Sequence, residues 1–209
     1  MSIVTVLVFL LWATIAEGAA LPAGRADCAS LEVAEFFFPK GVFGERLPSF
    51  DQDAFTREWY SQHLRAMTKP SLSCGESSGE SYRFLWLRTW GRPIAVRIEA
   101  GRSSTLTAVE LDGAGGYEPG KVSRKVQRQL SAATLSEALK ATGFWKMPGR
   151  LPTHGLDGAQ WVMEGRSGLN YHVVDRWSPA PGVCRELCLM LVKFAGLMPF
   201  GESKRDSIY

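Results

Sequence analysis

The segment GAQWVMEGRSGLNYHVVDRWSP, residues 158–179, brings a carboxylate, an imidazole and a guanidinium together at Glu164, His172 and Arg176. A carboxylate held beside an imidazole can move protons as a general acid/base pair. Asp157 and His154, in the preceding PTHGLDG, offer the same two groups again. One reading is therefore a small hydrolase using Glu164 or Asp157 with His172 or His154. No H-E-x-x-H supplies a metal beside them. The other reading is a polar pair on a solvated sheet face, which performs no chemistry. We adopt the second and expect binding, not catalysis.

Alternating residues on either side of Ser167-Gly168 predict a β-hairpin. A two-residue Ser167-Gly168 turn pairs Glu164 with Tyr171; a three-residue Ser167-Gly168-Leu169 loop pairs it with His172. The second register sorts Trp161, Met163, Tyr171, Val173 and Trp177 onto one face and Glu164, His172 and Arg176 onto the other. A sheet with one buried face resists mixing these classes, so the second register is preferred. It leaves Asp175 among apolar neighbours, where a partner such as Arg97 or a bulge is needed.

The elements around the hairpin follow from periodicity. Residues 53–67 read as a helix with Phe55, Trp59, Tyr60, His63 and Met67 as its apolar stripe, stopped by Pro70. Strands are expected at 82–90, 94–99, 106–111 and 121–130. Thr134 and Glu137 form a capping box before a short helix. A last helix over 183–195 turns Val183, Leu187, Met190, Leu191 and Phe194 inward and stops at Gly196. The expected fold is α+β, with a single, mainly antiparallel sheet packed by a few helices. The organisation reads as a leader (1–20), an irregular segment (21–52), the α+β domain (53–197) and a polar tail (198–209).

The loop GAGGYEPG only loosely resembles a phosphate-binding glycine motif, since no helix start with Lys-Ser/Thr follows it. Positive-φ turns account for its glycines better. Tyr117 at its tip, with Trp90, Trp145 and Trp177 beside other loops, supplies candidate contact residues, because Trp, Tyr and Arg dominate binding hot spots. With Glu164, His172 and Arg176 they form the expected binding set.

The apolar run over 3–16, broken only by Thr5 and Thr14, is shorter than the roughly 20 residues of a membrane-spanning helix. With the small residues at 16–20 it reads as a cleavable secretory signal, although the start lacks Lys and Arg. A periplasmic or secreted protein with no membrane span after cleavage is expected; a retained N-terminal anchor on a structural envelope protein is the alternative. In such a compartment Cys28 and Cys74 are the preferred disulfide, with Cys184 and Cys188 as thiols on one helix. One bond from each early cysteine to that helix stays open. No C-x-x-C and no His beside a Cys favour a zinc site, and no cofactor is expected. A net charge of +3 is too mild for nucleic acid. The cluster Lys121, Arg124, Lys125 and Arg128 divides between the two faces of a strand, as on a solvated edge.

The stretches REWYSQHLRAM, RPIAVRIEA, LDGAGGYEPG, FWKMP, GLDGAQWVMEG and YHVVDRWSP, spread over 55–197, resemble a group of uncharacterised exported bacterial proteins. The resemblance implies kinship and a bacterial envelope setting, and transfers no catalytic residue. The resulting expectation is an exported protein that binds another envelope protein or a glycan, with an inhibitor or immunity role among the possibilities.

Overall fold

The computed structural model describes residues 36–44, 46–47, 50–74, 79–101, 103–131, 138–139, 141–151, 155 and 157–198. The expected leader, Cys28, the capping box, His154 and the polar tail beyond Met198 lie outside them. Among the described residues no helix is long and apolar enough to cross a membrane.

Two short strands, β1 (Arg46–Leu47) and β2 (Phe50–Asp51), form a small hairpin inside the segment expected to be irregular. Helix α1 (Gln52–Ala66) follows at once, with the Asp51 side chain accepting from the Ala54 amide as its cap. Six strands then build one sheet: β3 (Glu80–Arg88), β4 (Ile94–Ala100), β5 (Ser104–Leu111), β6 (Val122–Leu130), β7 (Ala159–Ser167) and β8 (Asn170–Trp177). Its order is β6-β5-β4-β3-β7-β8, and every neighbouring pair is antiparallel. Helix α2 (Val183–Ala195) closes the described chain and ends on Gly196 in the left-handed region. This is the α+β architecture with one mainly antiparallel sheet.

The sheet is covered on both faces. Against α1 lie Leu85, Leu87, Ala95, Val109, Val162 and Val173, packed on Tyr60, Leu64, Met67, Phe38 and Phe43. Against α2 lie Phe84, Trp86, Val96, Ile98, Trp161, Met163 and Val174, packed on Leu187, Leu191, Val192 and Ala195. Strand β7 is consequently buried along almost its whole length, as expected for a strand with layers on both sides. Only β6 is exposed over most of its length.

Two expectations are corrected here. The core side of α1 carries Asp53, Thr56, Arg57, Tyr60, His63 and Leu64, while Phe55 is 57 % exposed. Asp53, Arg57 and Tyr60 can occupy that side because each is held by a polar partner. Asp53 accepts from the Gly41 and Phe43 amides, both at 2.9 Å, and pairs with Arg57 at 2.9 Å, clamping the 36–44 segment over the helix. In α2, Val183 is half exposed, and Cys188 and Val192 are buried in the inward face. No disulfide joins the described cysteines Cys74, Cys184 and Cys188, and the other half of the expected Cys28–Cys74 bridge is outside the described residues.

Candidate functional site

The hairpin itself forms, in neither expected register. Its turn is the two-residue Gly168-Leu169, with Ser167 opposite Asn170 and Gly168 at φ +58°. Glycine in the first turn position is what a tight hairpin of this kind selects. Glu164 then faces Val173, and Gly165 faces His172. The shift sends Glu164 toward α1 and His172 toward α2, so the proposed acid/base pair is split across the sheet. Polarity failed to set the register because both faces are dry.

Each separated residue has a structural partner. Glu164 is fully buried; its Oε2 lies 2.5 Å from Nε of Arg83, and its Oε1 accepts from the Tyr171 hydroxyl at 2.6 Å. His172 packs edge-on against Phe144, with Nε2 3.0 Å from the Met147 carbonyl. Burial outweighs that contact and lowers its pKa from the ordinary histidine value. Arg176, nearly buried, donates to the carbonyls of Gly149, Pro148 and Asp175 and so ties the 147–150 segment to the β8 edge. Trp145 lies on the α2 side and donates to the Tyr82 hydroxyl at 3.3 Å. Asp157 accepts from the indole of Trp90 at 3.2 Å, and Trp90 packs on Tyr117 with centroids 5.1 Å apart.

The string Gly75-Glu76-Ser77-Ser78-Gly79 matches G-x-S-x-G. It lies between a helix and a following strand, whereas the hydrolase nucleophile sits on a strand-to-helix turn. Ser77 is outside the described residues.

The groups that do converge stand on the α1 side, where β3 and β8 end and β7 begins. There a cleft of about 720 Å³ opens between α1, the 112–120 loop and the 150–155 segment. Its floor holds Asp175, Gln160, Tyr60 and Arg150; its walls hold Trp59, Phe55, Phe50, Tyr117 and Trp177. Asp175, 1 % exposed, accepts from Gln160 Nε2 and, at 3.3 and 3.4 Å, from the Tyr60 hydroxyl. Nε of Arg150 stands 3.8 Å from its Oδ2. Burial still outweighs these contacts and raises the Asp175 pKa above the ordinary carboxyl value. Tyr60 is pushed well up by burial and by the neighbouring carboxylate, which keeps its proton in place.

Local sequence explains how the walls are held. Trp59 donates from Nε1 to the Gly115 carbonyl at 2.9 Å, fixing the glycine loop to α1. A Cβ on Gly115 would stand 2.6 Å from the backbone of Leu87 and Arg88, so a side chain there is excluded by close backbone packing. This corrects the positive-φ expectation, which only Gly120 meets within the loop, at φ +74°. Gly155 and Gly158 lie so close to the Trp177 ring that a Cβ on either would collide with it. The two glycines of GLDG thus seat that indole as a wall of the cleft.

Of the expected contact residues, Tyr117 and Trp177 line the cleft, with Trp90 behind Tyr117. Trp145, His172 and Arg176 lie toward the other face, and Glu164 is beneath the surface. Trp59, Tyr60, Arg150, Gln160 and Asp175 were missed as site residues. The available signal was Asp175 itself, an acid that falls among apolar neighbours in the preferred hairpin register. Among the described residues no cluster of His, Cys, Asp and Glu is arranged to hold a metal. No family model, no curated protein and no solved structure matches this chain. The functional reading therefore rests on the cleft.

Proposed function

We propose that the protein acts by binding a glycan in this cleft, as an exported protein of a bacterial envelope. The single observation that carries the reading is the pairing of aromatic walls with a polar floor in one concavity. Aromatic faces cover the C–H faces of sugar rings, and convergent carboxyl, amide and phenol groups exchange hydrogen bonds with hydroxyls. Phe50, Phe55 and Trp59 succeed one another at centroid spacings of 5.6 and 6.4 Å, an aromatic row along one wall. Phe50 and Phe55 are 49 % and 57 % exposed, although apolar rings of this size gain by burial. A concave site of this volume suits a chain of small rings better than the flat face of a globular partner.

The separation of Glu164 from His172 removes one pairing of the hydrolase reading; His154, the partner that reading offers Asp157, lies outside the described residues. An array of bacterial and plant oligosaccharides tests the proposal. The expected result is binding to a chemically related subset, weakened at least about 10-fold by Trp59→Ala, equivalent to about 1.4 kcal/mol. Failure to bind any member, or binding indifferent to that substitution, contradicts it.

A further inference from the structure

Arg150 is the one guanidinium lining the cleft among the described residues. It reaches the floor from the segment that runs beside β8, where Arg150 bridges Asp175 in parallel and the Asp175 amide donates to Gly149 at 2.7 Å. Its side chain is 25 % exposed, and its one ion-pair contact, 3.8 Å from Nε to Asp175, is long. Neither terminal nitrogen makes a hydrogen bond to a described residue. Nη1 lies above Gly44, where a Cβ would stand 2.8 Å from it; the missing side chain leaves the guanidinium its room.

An arginine held side-on through Nε presents its other edge, the parallel Nη1 and Nη2 pair, as a fork. That edge fits a carboxylate in two-point contact. The cleft's acids leave this fork available. Asp175 is already occupied by Gln160 and Tyr60. Glu58 pairs with Arg65 at 2.5 Å, and Glu118 is exposed at the rim.

We infer that the glycan bound here is acidic, and that Arg150 receives a sugar carboxylate through its Nη1–Nη2 edge while the aromatic walls hold the rings. This rests on the glycan reading above and narrows it to uronic-acid-type sugars. It also separates recognition into two parts, with ring contact on the walls and charge at the floor.

The test uses the full chain and an array holding acidic oligosaccharides beside uncharged counterparts, including trigalacturonate and its methyl ester. Expected is preferential binding of the carboxylated member of a pair, weakened by added salt. Arg150→Gln should remove about 10- to 100-fold of that affinity and weaken the ester's binding much less, so that the acid/ester ratio falls. Arg150→Lys should recover only part of it, because an ammonium lacks the fork. Circular dichroism and thermal melting confirm that both variants fold; should Arg150→Gln not fold, the acid/ester ratio and its salt dependence on the unaltered protein decide the matter. Uncharged members binding as tightly as their acids, without salt dependence, would overturn the inference while leaving the glycan reading intact. No binding across the array would overturn both.

Discussion

Nε of Arg83 lies 2.5 Å from Oε2 of Glu164, on paired positions of adjacent strands, with both side chains fully excluded from solvent. The guanidinium also donates to the Pro70 carbonyl at 2.7 Å, and Tyr171 closes the carboxylate's other side. The pair joins β3 to β7 and to the loop after α1, beneath the layer that forms the cleft. Removing one partner strands a buried charge, whereas removing both removes the desolvation penalty with them.

Arg83→Met is accordingly expected to destabilise the fold by about 3–5 kcal/mol. The double variant Arg83→Met/Glu164→Gln should lose much less than the two single losses combined. Urea unfolding of the four proteins measures the coupling. Additive losses would show that the two groups do not act as a pair.

Asp175 gives a pH signature with a defined sign. Its folded-state pKa is raised above the ordinary value of 3.8 by burial. The folded state therefore holds that proton more tightly than the unfolded chain. The resulting stabilisation is complete below about pH 3.8 and is lost as pH rises through the raised folded value. Relative to Asp175→Asn, the natural protein should become steadily less stable across that rise, with a plateau above it. Denaturant unfolding at a series of pH values checks this; a difference that is flat, or grows in the natural protein's favour with pH, goes against the assignment.

Gly165 tests packing on the α2 side. A Cβ there would collide with the Phe144 ring and stand 3.1 Å from Cδ1 of Tyr82. Gly165→Ala should cost about 1–3 kcal/mol through overpacking. Adding Phe144→Leu should restore part of that loss, since the smaller side chain vacates the contested space. Thermal melts of the single and double variants distinguish this from a backbone effect, which Phe144→Leu would not relieve.

Much of the fold is readable from side-chain pattern. Ile94, Val96 and Ile98 alternate along β4 and all meet α2, and the basic β6 is the exposed edge that Arg124, Lys125 and Arg128 suggest. The site was hidden by partners remote in sequence. Glu164 looks like a surface acid until Arg83 is brought beside it, and Asp53 until the 36–44 segment folds over it. With both faces of β7 and β8 dry, polarity no longer reports which way a residue points. The stripe of α1 misleads for a related reason. Phe55 and Trp59 belong to the wall of the cleft, so an apolar row that reads as core faces an opening instead.

The central claim, that ligand is held on the α1 side of the sheet, is tested most directly by calorimetric titration of an array-selected oligosaccharide into paired variants. Trp59→Ala removes a wall of the cleft; Trp145→Ala removes an equally large, partly exposed indole on the opposite side. The account predicts at least about a 10-fold weaker affinity for the first and no change for the second. Loss with Trp145→Ala, or affinity untouched by Trp59→Ala, would contradict it.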